Sequence, residues 1–299
     1  MRLHKLLAEQ GMASRRTIES WIEAGKIQVN GINATLGQKV SLTDRIHVAG
    51  KAIELKATAP VLPRVIMYHK PEGEICSREP LGPNRSVFWS LPPLETSRWV
   101  MVGRLDLNTA GLLLFTDCGE LAHRLMHPSF EHDRQYAVRV LGSVTDTIIA
   151  RFKRGVALEQ GICRFKDIVE REKSEGANRW FTVTLGEGKY REVRQMFEAQ
   201  QCTVNRLIRI KFGSIALPVS LRKGKWQEFP ADRVRSLMTS VDLIVPAAAP
   251  EPTKERPKQD AKRTRVKTHT SKPVSASSGK TVARKSPRGS SLNFPEKRR

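Results

Sequence analysis

Cysteine is scarce in these 299 residues: Cys76, Cys118, Cys163 and Cys202 stand about 40 positions apart, and no Cys-x-x-Cys pair occurs. That suggests neither a disulfide framework nor a zinc ribbon, and it fits reduced thiols in a cytosolic protein. Long hydrophobic runs are missing as well. No stretch approaches the roughly 18 apolar residues that a bilayer span requires, so the chain reads as soluble with no membrane partner. The start, Met1-Arg2-Leu3-His4-Lys5-Leu6-Leu7, has neither a continuous apolar core nor a small-residue cleavage site. This argues against a secretory signal or an organellar presequence. Acidic residues are also few, with 30 Asp+Glu against 52 Lys+Arg for a formal charge of +22. The natural partner of such a chain is a polyanion.

The length allows about two domains. The 39% hydrophobic fraction with its 20 glycines reaches the range of globular chains, roughly 45–50% apolar. The charge is unevenly spread. Residues 251–299 hold 15 Lys+Arg and 4 Asp+Glu with Phe294 as their only aromatic, too little apolar surface to offset chain entropy. A disordered basic tail is expected over 246–299, tuning affinity for a polyanion more than site choice.

At the other end, Leu3, Leu6 and Leu7 recur at helical spacing and Gly11 is placed to stop that helix. Ser14 is positioned to cap a second helix, which carries Ile18, Trp21 and Ile22 on one face and ends at Gly25. Ile27-Gln28-Val29 then alternates into Asn30-Gly31, a hairpin signal. Val40 and Arg45-Ile46-His47-Val48 complete a compact unit by about residue 55. Residues 51–63, with Pro60 and Pro63 and little periodicity, read as a linker. Arg2, Lys5, Arg15, Arg16 and Lys26 surround the two helices. The segment over residues 2–50 resembles the RNA-binding module of ribosomal protein S-four, which implies that these five basic side chains meet structured RNA. The expected domains are 1–59 for this module and 60–245 for a second, larger one.

The second domain is rich in strand candidates: Val65–Tyr68, Trp99–Val102, Leu112–Phe115, Tyr136–Leu141, Trp180–Leu185 and Val204–Phe212. Asp117 followed by Glu120 suggests a capping box opening a helix over Glu120–Met126 that Pro128 terminates. Thr145 and Gly155 bracket another helix. Further helices are predicted over Arg191–Gln200 and near Ala231–Thr239. Close spacing of strands favours antiparallel pairing, and the class is α+β.

The string Gly103-Arg104-Leu105-Asp106-Leu107-Asn108-Thr109-Ala110-Gly111 places a charged, Gly-flanked loop between two apolar strands. A carboxylate held at a sheet rim can act as nucleophile or base, and an adjacent arginine can meet phosphate or stack with a base. An Asp in a loop is also an ordinary turn residue. The string through Thr116 is similar to the central motif of the RsuA/RluB family of pseudouridine synthases. Arg134-Gln135-Tyr136-Ala137-Val138 matches that family's second motif, and Gly188-Lys189-Tyr190-Arg191-Glu192-Val193-Arg194-Gln195-Met196 matches its third. With the N-terminal module the resemblance covers about 230 residues, from Met67 through Trp226 in the second domain.

The resemblance implies a pseudouridine synthase fold with a mixed, mainly antiparallel sheet. It makes Asp106 the catalytic residue, Tyr136 the ring against the target base, Val193 the pocket floor, and Arg194 the cation paired with the aspartate; Arg104 supports the site. The implied partner is ribosomal RNA, with large-subunit (23S) rRNA or its precursor as the nearest match. No metal or organic cofactor is implied, because the isomerisation involves no redox step. Four positions depart from the family pattern. Asp117-Cys118 stands where an uncharged residue then Asp is usual, Tyr190 where Asn is frequent, and Gln195 where Arg is usual.

Arg191 shares a helix face with Arg194 and is a further RNA contact candidate. Arg206, Arg209 and Lys211 form a basic strand that faces either RNA or solvent. His123 and His127 have the spacing of a two-histidine metal site with Glu120 one turn earlier, but no third ligand is evident and Pro128 ends the helix. Glu187-Gly188-Lys189 lacks the spacing of a phosphate-binding loop. No heptad seam is present, so a monomer is expected.

Overall fold

Leu3, Leu6 and Leu7 bury one side of α1 (Leu3–Glu9) against Ile18 and Ile22 of α2 (Arg15–Glu23). This is the packing their spacing anticipates, in the computed structural model of the chain. The described residues are 1–55, 61–79, 82–95, 97–171 and 177–246. The expected domain boundary near residue 60 and the basic tail beyond residue 246 lie outside them. Ser14 caps α2, its hydroxyl accepting from the Thr17 amide at 3.0 Å. Burying each leucine contributes about 1.5–3 kcal/mol, which lets two short helices persist that would be marginal alone.

A four-stranded sheet, in the order β2-β1-β3-β4, braces these helices. It is built from β1 (Ile27–Val29), β2 (Ile32–Asn33), β3 (Ile46–Val48) and β4 (Lys51–Ile53). Asn30 (φ 53°) and Gly31 (φ 83°) form the tight turn that joins β1 to β2, as Asn-Gly favours. The linker expected from residue 51 begins later, because β4 extends the sheet. Ala49 (φ 49°) and Gly50 (φ 78°) make a second left-handed turn. Alanine gives no sequence signal for that conformation.

The second domain is a nine-stranded sheet whose main path runs β11-β12-β8-β13-β7-β5-β15. In chain order its elements are β5 (Val65–Lys70), β6 (Val100–Val102), β7 (Ala110–Thr116), α3 (Gly119–Met126), β8 (Arg134–Leu141) and α4 (Asp146–Arg154). A hairpin of β9 (Val156–Leu158) and β10 (Gly161–Cys163) follows, then β11 (Asp167–Glu170), β12 (Asn178–Leu185), α5 (Glu192–Glu198) and β13 (Thr203–Phe212). β14 (Ile215–Ala216), β15 (Trp226–Glu228) and α6 (Ala231–Thr239) complete it. β6 pairs with β7 and β14 with β13. The β13–β7 pair is parallel and the other pairings of this sheet are antiparallel, so the sheet is mixed and mainly antiparallel as expected. The hairpin and strands β11, β14 and β15 were not anticipated; two to four residues are too few to display a period.

β7 is buried at every position, because both its faces are covered. Leu112 and Leu114 enter one apolar cluster with α3 and α6, while Leu113 and Phe115 enter another with Ile66, Tyr68 and Trp99. A third cluster joins β8, β12 and β13 to α4 and α5. The capping box at Asp117 does not form. Asp117 Oδ1 instead accepts the Arg64 amide at 2.9 Å, and α3 starts one residue earlier than expected, with Cys118 as its cap residue. Thr145 and Gly155 bracket α4 as their residue types suggest.

Candidate active site

Asp106 sits half-buried in the loop between β6 and β7 and lines a cavity of about 510 Å3. What holds that loop is Lys70, the last residue of β5, whose side chain is completely buried. Its Nζ donates to the carbonyl oxygens of Thr109 (2.9 Å), Pro71 (3.0 Å), Asp106 (3.1 Å) and Leu107 (3.3 Å). The Asp106 carbonyl also accepts from the Thr109 amide at 3.1 Å, and Leu107 O accepts from Gly73 N at 2.9 Å. Burial pushes the Lys70 ammonium below its ordinary pKa, while nearby acidic groups, Asp106 among them, draw it back up. A buried ammonium facing four carbonyls fixes the backbone that carries the carboxylate. Cys76 closes the same corner, its Sγ accepting the Leu105 amide at 3.4 Å; burial pushes its thiol pKa up.

Tyr136 lines the same cavity as Asp106. It lies on β8 directly opposite Arg209 of β13, and Arg209 in turn pairs with Gly111 on β7. Three strands thus bring the second motif, the basic strand and the central loop together. The approach is close: a Cβ at Gly111 (φ 112°) would lie 2.3 Å from the Arg209 carbonyl oxygen. Val193, 5% exposed, and Leu207 supply apolar lining, and the half-buried Arg134 stands nearby. Arg134 Nη1 donates to Gly186 O at 3.1 Å, and its guanidinium lies 5.3 Å from the Phe212 ring centroid.

Arg194 is buried, but its contacts differ from the expected ion pair with Asp106. Nη2 donates to Asn108 O and Nη1 to Val204 O, both at 2.7 Å. The Asp106 charge reaches it only at longer range; burial is the main influence and lowers its pKa. Arg194 therefore steadies the aspartate loop through its backbone. Arg209 also departs from the expectation of a surface RNA contact: it is 2% exposed, donates from Nε to Leu112 O at 2.7 Å, and lines the cavity. Arg206, three residues earlier on a regularly paired stretch, is exposed on the opposite face, as alternation along a strand dictates.

At the mouth stand Arg104, exposed, with Lys189, Tyr190 and Arg191. Arg191 adopts the left-handed conformation (φ 48°) as the residue before α5. Glu192 is 3% exposed, and its Oε2 accepts the Lys189 amide at 3.0 Å. Burial pushes its carboxyl pKa up.

In the N-terminal module Arg2, Arg15, Arg16 and Lys26 are exposed. Arg15 and Arg16 begin α2, where the positive helix end adds to their attraction for phosphate. Lys5 is more occupied, with Nζ 3.8 Å from Glu9 and 3.7 Å from Glu120 of α3. The rings of His123 and His127 lie 5.6 Å apart, and His127 Nδ1 is hydrogen-bonded to the Ser129 hydroxyl. Among the described residues no three His, Cys, Asp or Glu side chains are grouped to hold a metal.

Sequence reasoning assigned no site role of their own to Arg134, Cys76 or Glu192, and read Lys70-Pro71-Glu72-Gly73 as a turn that shapes the surroundings of the active site. Lys70 carried a usable signal. Ile66 and Tyr68 point to one apolar cluster, and the period of two places the charge of Lys70 on that same buried side.

An RNA pseudouridylate synthase family model matches residues 64–199, and an S4 domain model matches residues 1–46. The ribosomal large subunit pseudouridine synthase B of Salmonella typhimurium is 46% identical over 273 residues, covering 90% of this chain and 94% of that protein. The Pseudomonas aeruginosa protein of the same description is 45% identical over 259 residues, covering 87% of this chain and 67% of that protein. Among solved structures, a pseudouridylate synthase shares the fold with a TM-score of 0.55 at 24% identity, covering 79% of this chain and 99% of its own.

Proposed function

Because the chain belongs to the RNA pseudouridylate synthase family, we propose that it isomerises a uridine of large-subunit ribosomal RNA to pseudouridine, with Asp106 as the catalytic carboxylate. The observation that supports this most is the placement of Asp106: a loop pinned by Lys70 presents it to a cavity walled by Tyr136 and floored by Val193. The N1–C1′ bond of the nucleotide breaks and a C5–C1′ bond forms. The proton lost from C5 is balanced by one gained at N1, so no oxidant, reductant or hydrolytic water is consumed. One carboxylate that attacks or deprotonates the nucleotide suffices for such a rearrangement.

The target base must leave its stack to reach Asp106. Tyr136 and the apolar floor offer it a replacement surface, while Arg104 and Arg191 at the mouth attract the phosphates. Arg2, Arg15, Arg16 and Lys26 extend that attraction over the N-terminal module, and Arg206 adds to it from the outer face of β13. The protein acts as a monomer in the cytoplasm, without metal or cofactor. A strain lacking the gene, complemented by wild type or Asp106→Asn, tests the reading through a pseudouridine map of its ribosomal RNA. One large-subunit position restored by wild type alone supports it; restoration by both, or a small-subunit position, contradicts it.

A further inference from the structure

The chain contains three tyrosines, and they stand in three different environments. Tyr68 is fully buried and its hydroxyl donates to Glu74 at 2.6 Å. Tyr136 is half-buried beside the candidate catalytic loop. Tyr190 is 71% exposed, and its side chain makes no hydrogen bond or ring contact among the described residues. It nevertheless lines the same cavity as Asp106.

Its backbone is firmly held. Gln160 Nε2 donates to Tyr190 O at 3.0 Å and to Gln195 Oε1 at 3.0 Å. Glu192 holds the Lys189 amide on the other side, and Arg191 turns the chain in a left-handed conformation. The ring is thus presented to solvent from a fixed position, with Lys189 and Arg191 flanking it. The cavity, at about 510 Å3, lies within the roughly 300–1,000 Å3 of sites that enclose a drug-sized ligand, more room than one uracil ring occupies. An exposed aromatic among basic side chains, at the mouth of a pocket for an extruded base, has the composition of a stacking platform.

We propose that Tyr190 is the platform for a second, unpaired nucleobase, the strand neighbour of the uridine that enters the cavity. Extruding the target uncovers a face of that neighbour, and Tyr190 covers it while the adjacent cations meet the phosphates. The inference rests on the uridine reading of the Asp106 cavity.

The test uses a ribosomal RNA fragment carrying the mapped uridine, and two further fragments in which one or the other flanking base is replaced by an abasic site. Wild type, Tyr190→Phe and Tyr190→Ala are compared for RNA affinity and for single-turnover rate at saturating RNA. On the intact fragment Tyr190→Ala raises Kd by roughly 5- to 100-fold, the effect of one base–aromatic stack. Its saturated rate stays within about twofold of wild type, and Tyr190→Phe binds like wild type. On one abasic fragment wild type and Tyr190→Ala bind alike. The proposal is overturned if Tyr190→Ala binds intact RNA normally, keeps its deficit on both abasic fragments, or is matched in weakness by Tyr190→Phe. A wild type with no turnover on any fragment removes the uridine reading itself, whereas an active wild type with an unimpaired Tyr190→Ala removes only the platform.

Discussion

Arg194 grips the aspartate loop at Asn108: Nη2 lies 2.7 Å from the Asn108 carbonyl oxygen while Nη1 holds Val204 O at the same distance. One planar guanidinium thereby ties the start of β13 to the residue two positions beyond Asp106. The geometry makes Arg194 a positioning residue for that loop, acting through the backbone.

A lysine at position 194 cannot span both carbonyls, because a single ammonium lacks the fork of a guanidinium. Arg194→Lys is expected to lose about 1–3 kcal/mol of stability and to lower kcat by roughly 10- to 100-fold through misplacement of Asp106. Urea unfolding and steady-state turnover measure the two effects. A variant with wild-type kcat would contradict the positioning role.

Lys70 makes a stronger case of the same kind, with one buried ammonium facing four carbonyls. Lys70→Met fills a similar volume and leaves those acceptors without their donor. The expected cost is about 2–4 kcal/mol, with kcat down about 100-fold or more. Unfolding midpoints and activity of the soluble fraction check this. A stable, active Met variant would show that the loop holds its shape without the cation.

At Gly111 the parallel strands meet backbone to backbone, leaving 2.3 Å between a Cβ and the Arg209 carbonyl oxygen. Gly111→Ala has both this clash and an unfavourable φ to overcome. A loss above about 4 kcal/mol is expected, seen as insoluble protein or a collapsed melting temperature. Gly103→Ala, where a Cβ meets nothing within 4 Å, is the milder comparison, since only its positive φ is strained.

Glu192 gives the stability a pH dependence of defined sign. Burial raises its folded pKa above the ordinary value of 4.5, so the folded protein binds that proton more tightly than the unfolded chain does. The resulting stabilisation is complete below the unfolded value and is lost as pH rises through the folded one. Glu192→Gln removes this dependence and can keep the bond to the Lys189 amide. Its melting temperature is expected to match wild type near pH 4 and to exceed it by a few degrees near pH 7. A gap that does not vary with pH would contradict the assignment.

The elements that the sequence revealed are those whose side chains carry a period or a cap. Leu3, Leu6 and Leu7, the Ser14 cap, the Asn30-Gly31 turn and the apolar run of β7 all stand where local chemistry places them. Asp106, Tyr136 and Val193 were found through motif resemblance, and the cavity gathers them. What stayed hidden depends on contacts between distant segments. Asp117 accepts an amide from Arg64, 53 positions away, where local spacing suggested a cap. Arg209 reads as a surface cation beside Arg206, and the pairing of β13 with β7 and β8 is what buries it. The Arg194 bonds to Asn108 and Val204 depend on the β13–β7 pairing, which no local pattern encodes.

The central claim is that Asp106 carries out the isomerisation. Its most direct measurement is tritium release from ribosomal RNA labelled at uracil C5, comparing wild type with Asp106→Asn. Bonding of C5 to ribose requires that the label leave. Release by wild type and none by Asp106→Asn, with RNA affinity retained in the variant, is the predicted result. Equal release from both, or none from wild type on free RNA and on precursor subunits alike, would contradict it.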